Sequence, residues 1–125
     1  MNVPLSTGLV AIVDDDASMR AAVQDLLSSV GIKARSFASA EEFLLSGLQS
    51  EIACLISDIR MPGMTGLDLQ ARLVAEGCRT PIIFITAYGN TRTRTQALAA
   101  GAVEFLVKPF DDERLIGTVR AALES

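Results

Sequence analysis

Histidine is absent from this chain of 125 residues, and cysteine occurs only twice. Without histidine, catalytic arrangements that rely on an imidazole base are excluded, and so are the usual zinc sites. Cys54 and Cys78 do not form a CxxC pair, so we expect two reduced thiols, which is the usual state of cysteine in the cytoplasm. The chemistry of this chain must therefore rest on carboxylates, hydroxyls and amines.

Long apolar segments and an excess of positive charge are also missing. No apolar run approaches the length of a membrane span, and the N-terminus lacks the basic region of a signal peptide. The net charge of −4 repels nucleic acid phosphates and anionic lipid. We expect a cytoplasmic protein whose residues 1–125 form one domain that binds neither nucleic acid nor a membrane directly.

Five short apolar runs alternate with segments of helical periodicity, in which apolar residues recur three and four positions apart. The runs, which we interpret as strands, are Gly8–Val13, Lys33–Phe37, Ala53–Ser57, Pro81–Ile85 and Ala102–Val107. Short connections between strands and helices favour right-handed βαβ units. The sequence therefore predicts an α/β domain with a doubly wound, five-stranded parallel sheet and five helices.

Capping residues mark where several of these helices begin. Asp16 is expected to cap the first helix, Ser39 to open a capping box before the second, and Thr65 to start the third. Acids at Asp111–Glu113 suit the first turn of the fifth helix. The fourth, over Asn90–Ala100, is the weakest prediction because its threonines lower helix propensity, and the sequence leaves the order of Asn90–Gln96 open.

Polar side chains follow four of the five runs at the point where each run ends. They are Asp14, Asp58, Thr86 and Lys108. The second run has no such residue, which fits the strand order 2-1-3-4-5 of a flavodoxin-like fold, with the second strand at an edge. In such sheets, functional sites lie beyond the carboxyl ends of the strands.

These residue types favour a site for a hard cation next to a reactive acid. Asp14, Asp15 and Asp58 would repel one another, which raises at least one pKa unless a divalent ion is bound. Mg²⁺ suits carboxylate oxygens, and Lys108 adds a second cation. Because histidine is missing, a carboxylate is the expected nucleophile, and an aspartyl phosphate is the matching product.

Four segments together resemble the receiver domain of two-component response regulators, over essentially the whole chain. They are Val13–Asp16, Asp58–Gly66, Thr86–Ala87 and Phe105–Phe110. Ser39–Phe43 and the Met-Pro-Gly-Met-Thr-Gly turn are similar in particular to FixJ-type receivers, which precede a helix-turn-helix output domain. The resemblance implies a signalling phosphoacceptor, which catalyses only its own phosphotransfer and slow dephosphorylation.

The resemblance also implies the reaction and its metal. Asp58 would accept a phosphoryl group from a phosphohistidine of the cognate histidine kinase. Asp14, Asp15, Asp58 and the backbone carbonyl of Arg60 would bind Mg²⁺, or Mn²⁺ as an alternative. Lys108 would bind a phosphoryl oxygen.

A conformational switch is implied as well. Thr86 would move to the phosphoryl group, and Phe105 would rotate inward with it. The change would reach the surface of the fourth helix, fifth strand and fifth helix, where a phosphorylation-dependent homodimer could form, and an output domain beyond Ser125 would bind DNA. Arg60 and Tyr88 flank the proposed phosphoryl site, and we hypothesise that they lengthen the life of the phosphorylated state.

Three other functions fit parts of the sequence. A Mg-dependent phosphohydrolase of the haloacid dehalogenase class would use Asp14 as nucleophile and Asp16 as acid, which leaves Asp58 without a role. A flavodoxin-like flavin carrier shares the fold, but its phosphate loop would follow the first strand, where three acids stand. The third is a receiver that is never phosphorylated and acts only as a protein-interaction module.

Overall fold

The computed structural model describes residues 8–87 and 89–124, which form a parallel sheet flanked by helices. The strands are β1 (Leu9–Val13), β2 (Ala34–Phe37), β3 (Ile52–Ser57), β4 (Ile82–Thr86) and β5 (Glu104–Val107). The helices are α1 (Ala17–Ser29), α2 (Ala40–Leu45), α3 (Gly66–Ala75), α4 (Thr91–Ala99) and α5 (Asp112–Leu123). Strand order is β2-β1-β3-β4-β5, which confirms the predicted doubly wound sheet.

Alternate side chains of the central strands pack on opposite faces of the sheet, which explains why these strands are apolar throughout. In β1, Val10 and Ile12 belong to a core cluster that also contains buried residues of α1 and α5. Ala11 and Val13 belong to a second cluster with buried residues of α2, α3 and α4. Helices cover both faces of the sheet. Polar groups can therefore lie together at the edge formed by the carboxyl ends of the strands.

Local capping chemistry begins the first three helices at the predicted residues. The box predicted at Ser39 is half formed, since Ser39 accepts from the Glu42 N–H but Glu42 Oε1 accepts from the N–H of Ala38. The Asp16 carboxylate accepts hydrogen bonds from the N–H groups of Ser18 and Met19, and Thr65 and Asp68 form a capping box at α3. The second helix is shorter than its apolar pattern implies, since Ser46 ends it and Leu48 begins a separate 3₁₀ turn. The limits of the strands lie within two residues of the predicted runs.

The weakly predicted fourth helix is formed, and contacts from outside its own sequence help to explain this. Asn90 caps it by accepting a hydrogen bond of 2.8 Å from the Thr93 N–H. Gln70 of α3, only 2% exposed, donates from Nε2 to the Ala97 carbonyl over 3.0 Å. Ala97 itself is fully buried. The structure therefore answers the question that the sequence left open for Asn90–Gln96, because the cap and the tertiary contact offset the low helix propensity of threonine.

Both cysteines are free thiols, as predicted. Cys54 lies in the core, and burial raises the pKa of its thiol to about 12, whereas Cys78 is half-buried. Within residues 8–87 and 89–124, no helix has the length and apolar character that a membrane span requires.

Candidate functional site

Asp14 and Asp58 become neighbours because of the register between β1 and β3. Val13 pairs with Ser57 in this parallel ladder, and the Asp58 N–H donates to the Val13 carbonyl over 3.0 Å. The next residue of each strand is an aspartate, so the two carboxylates start side by side at the edge of the sheet. Both residues are buried, with Asp14 3% and Asp58 9% exposed.

Asp15 completes a cluster of three carboxylates. One oxygen from each of Asp14, Asp15 and Asp58 can be chosen so that all three lie within 4.8 Å of one another. Asp15 is exposed, which leaves the cluster open to solvent on one side. A set of carboxylate oxygens at this spacing fits a hard divalent cation such as Mg²⁺, which binds through a few acids and keeps several waters.

Lys108 lies between two of these acids. Its Nζ is 3.4 Å from Asp14 Oδ2 and 3.5 Å from Asp58 Oδ2. Strand pairing explains the position, since Thr86 pairs with Val107 and the Lys108 N–H donates to the Thr86 carbonyl over 2.8 Å. Lys108 therefore follows the end of β5 next to Thr86, the last residue of β4. Its ammonium partly neutralises two buried carboxylates.

The pKa of Asp14 is raised above its ordinary value. Burial is the largest cause and the nearby Asp58 carboxylate acts in the same direction, while the Asp16 N–H and the Lys108 ammonium oppose them. The N–H of Asp16 donates to Asp14 Oδ1 over 2.9 Å. The sequence predicts a raised pKa from repulsion between the acids. At Asp14, the loss of hydration on burial raises the pKa more than this repulsion does.

Arg20 contacts the site, although the sequence reading did not select it. Its Nη1 donates to the backbone carbonyl of Asp14 over 2.7 Å, so α1 holds the chain that carries the first two acids. A signal was available in the sequence. A cation in the first turns of a helix is disfavoured by the helix dipole, so the position of Arg20 called for a compensating contact.

The loop after Asp58 returns to the strand from which it came. The N–H of Gly66, the first residue of α3, donates to the Ile59 carbonyl over 2.8 Å. The Asp58 side chain is fixed locally as well, since its Oδ1 accepts from the Ile59 N–H over 2.6 Å. The loop therefore closes tightly beneath the acids, and Arg60 within it is exposed.

The remaining predicted residues lie at different distances from the acid cluster. Thr86 ends β4 and is fully buried, beside the backbone of Lys108. Phe105 lies in the core and pairs with Phe84 across β4 and β5. Tyr88 falls outside the described residues. Asp16 serves as the cap of α1, which is how the sequence was interpreted.

Comparison with known proteins agrees with the resemblance to receiver domains. The sequence model of the family described as "Response regulator receiver domain" matches residues 10–120. Nodulation protein W of Bradyrhizobium diazoefficiens is 43% identical over 116 residues, which cover 93% of this chain and 51% of that protein. The transcriptional regulatory protein FixJ of Azorhizobium caulinodans is 39% identical over 114 residues, covering 91% of this chain and 54% of FixJ.

Solved structures agree with this result. The crystal structure of FixJ-N superposes with a TM-score of 0.84 at 34% identity and covers 94% of both chains. The structure of the response regulator StyR gives a TM-score of 0.87 at 40% identity, with 94% of this chain and 60% of StyR covered. The present chain spans about half the length of the two sequence relatives, at 51% and 54%.

Proposed function

We propose that this chain, which belongs to the response regulator receiver domain family of two-component signalling, accepts a phosphoryl group on the side chain of Asp58. One observation carries the proposal. Asp58 meets Asp14, Asp15 and Lys108 at a single edge of the sheet, so a nucleophile, candidate metal ligands and a fixed cation lie together. The role is that of a signalling domain that catalyses its own modification.

Mg²⁺ is the proposed cofactor, with Mn²⁺ as an alternative of similar ligand preference. Asp14, Asp15 and Asp58 would hold it through their clustered oxygens, and the backbone carbonyl of Arg60 would add a further oxygen. The three carboxylates fit this assignment because they supply negative charge and oxygen ligands at close spacing. When bound, the ion supplies positive charge that neutralises phosphoryl oxygens.

The reaction transfers a phosphoryl group from a phosphohistidine of a partner kinase. An Asp58 carboxylate oxygen bonds to phosphorus, the bond from phosphorus to the imidazole nitrogen breaks, and that nitrogen leaves with the electron pair. Lys108, already 3.5 Å from Asp58 Oδ2, is placed to turn its ammonium to a phosphoryl oxygen. Because such a transfer mainly needs alignment and charge neutralisation, a site assembled in advance is effective.

The phosphorylated state would favour a second arrangement of the domain. Contacts of the phosphoryl group with Lys108 and with the hydroxyl of Thr86 would stabilise it, and Phe105 would repack as Thr86 moves. The surface that changes is formed by α4, β5 and α5, where Val107 is 44% exposed and where a homodimer would form. We further propose that the whole protein regulates transcription through a DNA-binding domain after this one, since its relatives include transcriptional regulators.

Arg60 and Tyr88 are proposed to control how long the phosphoryl group persists. Arg60 is exposed on the loop next to the acids, and a large side chain there would limit the approach of water. Arg60→Ala and Tyr88→Ala should each accelerate dephosphorylation. Unchanged rates in both variants would contradict this role.

The proposed function is tested by locating the modification. The chain is incubated with acetyl phosphate and Mg²⁺, and the labelled residue is identified by mass spectrometry after reduction of the acyl phosphate. We expect label on Asp58, dependence on Mg²⁺, and no label in Asp58→Asn. Label on Asp14 would instead indicate a phosphohydrolase, and no label under any condition would leave a pure interaction module.

A further inference from the structure

A carboxylate of α2 reaches the loop that joins β3 to α3. Glu41 Oε2 accepts a hydrogen bond of 2.9 Å from the N–H of Met64, which lies 23 residues further along the chain. The next two N–H groups of the loop donate to acceptors within the loop or α3 itself. Of these three acceptors, Glu41 is therefore the one that ties the loop to a different element.

The contact of Glu41 with the loop is close. A β-carbon on Gly63 would lie 2.6 Å from Glu41 Oε2, and Gly63 has a φ of +75° that favours glycine. The carboxylate thus lies directly on the turn formed by Gly63 and Met64. Apolar packing supports the same approach, because Met61 is buried in the cluster that contains Phe43 of α2.

This loop needs support from outside because of its composition. Between Asp58 and α3 it contains Pro62 and Gly63, and glycine gives an isolated segment many accessible backbone conformations. A hydrogen bond to an ionised carboxylate is stronger than a neutral one. A single such bond at the tip of the loop therefore restricts the backbone at Gly63 and Met64.

We propose that Glu41 is a positioning residue for the metal site, which holds the turn at Gly63 and Met64 and thereby restricts the backbone after Asp58, including the Arg60 carbonyl proposed above as a ligand. The inference rests on the proposed function, since the carbonyl matters only if the cluster binds a cation. The hydrogen bond of Glu41 is to the backbone of the loop, at Met64. Its effect passes through the backbone of the loop.

The neighbouring Glu42 provides a matched control. It lies in the same first turn of α2, carries the same charge and is exposed like Glu41. Its Oε1 also accepts a backbone hydrogen bond, of 3.1 Å, but from the N–H of Ala38, two residues before α2 begins. Any effect that comes from the helix dipole or from net charge should therefore be shared by both glutamates, and an effect on the loop should not.

The experiment is a Mg²⁺ titration followed by amide NMR shifts in the wild type, Glu41→Ala, Glu41→Gln and Glu42→Ala. Glu41→Ala should weaken Mg²⁺ binding about fivefold, the effect of losing one charge-assisted hydrogen bond of modest net strength. Without Mg²⁺, its Met64 amide should exchange with solvent faster than in the wild type. Glu41→Gln retains an acceptor oxygen and should recover most of the affinity, while Glu42→Ala should match the wild type.

Two results would overturn the role of Glu41 and leave the proposed metal site intact. One is wild-type Mg²⁺ affinity in Glu41→Ala, and the other is an equal loss in Glu42→Ala, which would assign the effect to charge. If the wild type shows no Mg²⁺ response at the amides of Asp14 and Asp58, the proposed metal site fails and the inference fails with it. The titration of the wild type thus distinguishes a failure of the Glu41 inference from a failure of the proposed metal site.

Discussion

A β-carbon on Gly66 would lie 2.1 Å from the backbone carbonyl oxygen of Asp58. The first residue of α3 therefore packs directly on the end of β3, at a distance that no other residue type permits. This contact closes the loop and fixes the backbone of the proposed phosphoacceptor. In the sequence, Gly66 indicates only a turn, but the structure requires a glycine at this position for steric reasons.

Gly66→Ala should lower the free energy of unfolding by about 2 kcal/mol, because backbone atoms on both sides of the contact must move apart. Urea unfolding measures the loss. Gly117→Ala is the matched control, since a β-carbon on this glycine of α5 meets nothing within 4 Å, and it should stabilise the protein by about 0.5 to 1 kcal/mol. Equal effects of the two substitutions would show that the contact is not steric.

Asp14 is predicted to cost stability when it is ionised in the metal-free protein. Because its pKa is raised by burial, the folded state keeps this proton to a higher pH than the unfolded chain does. Its contribution to stability therefore decreases as the pH rises from the ordinary pKa of a carboxyl through the raised value. Above that interval, Asp14→Asn should be more stable than the wild type, because it removes a carboxyl group whose charged form is disfavoured by burial.

The test of this prediction is urea unfolding from acid to neutral pH in the presence of a chelator. Asp14→Asn should lose the decline in stability described above, whereas Asp15→Asn, at an exposed position, should change stability by less than about 0.5 kcal/mol. A less stable Asp14→Asn at neutral pH would mean that the attraction of Lys108 outweighs the cost of burial.

Lys108 is predicted to compete with the cation. Its ammonium is 3.4 Å from Asp14 Oδ2 and 3.5 Å from Asp58 Oδ2, so it neutralises part of the charge that would attract Mg²⁺. Lys108→Gln should bind Mg²⁺ about fivefold more tightly in a calorimetric or NMR titration, from the loss of a nearby like charge. Phosphorylation of Asp58 should nevertheless become slower.

The exposed Lys33 allows a control with the same change of net charge. Lys33→Gln should leave Mg²⁺ affinity within error of the wild type, because exposed charges beyond a Debye length are largely screened. Weaker Mg²⁺ binding by Lys108→Gln would refute competition and indicate that the lysine orders the acids instead.

Gln70 is predicted to hold α4 in place. Gln70→Met removes the hydrogen bond to the Ala97 carbonyl, which still accepts from the Ala102 N–H, so the cost in unfolding free energy should be only about 1 kcal/mol. Amides of Thr91–Ala99 should exchange faster in hydrogen-exchange measurements.

Gln24 makes a similar bond of 2.9 Å from Nε2 to the Ala34 carbonyl, on the other side of the sheet. Gln24→Met should therefore leave exchange in α4 unchanged. If the amides of α4 exchange at the wild-type rate in both Gln70→Met and Gln24→Met, the helix does not depend on Gln70.

Local chemistry explains why the sequence determined so much of the fold. Unbroken apolar runs mark strands covered on both faces, and the caps at Asp16 and Thr65 act within a few residues of themselves. The polar residues at the run ends follow from the same logic, because parallel strands bring their carboxyl ends to one edge. The strand order could therefore be predicted, and with it the grouping of Asp14, Asp58 and Lys108.

Only the tertiary structure decided the features that depend on contacts between distant segments. Gln70 bonds to α4, Arg20 bonds to the backbone of Asp14, and Glu41 bonds to the loop after β3. Burial is the largest cause of the raised pKa of Asp14. Periodicity and capping report the preferences of a few neighbouring residues. Burial, desolvation and hydrogen bonds between elements depend on which surfaces meet, and this is set only when the whole chain has packed.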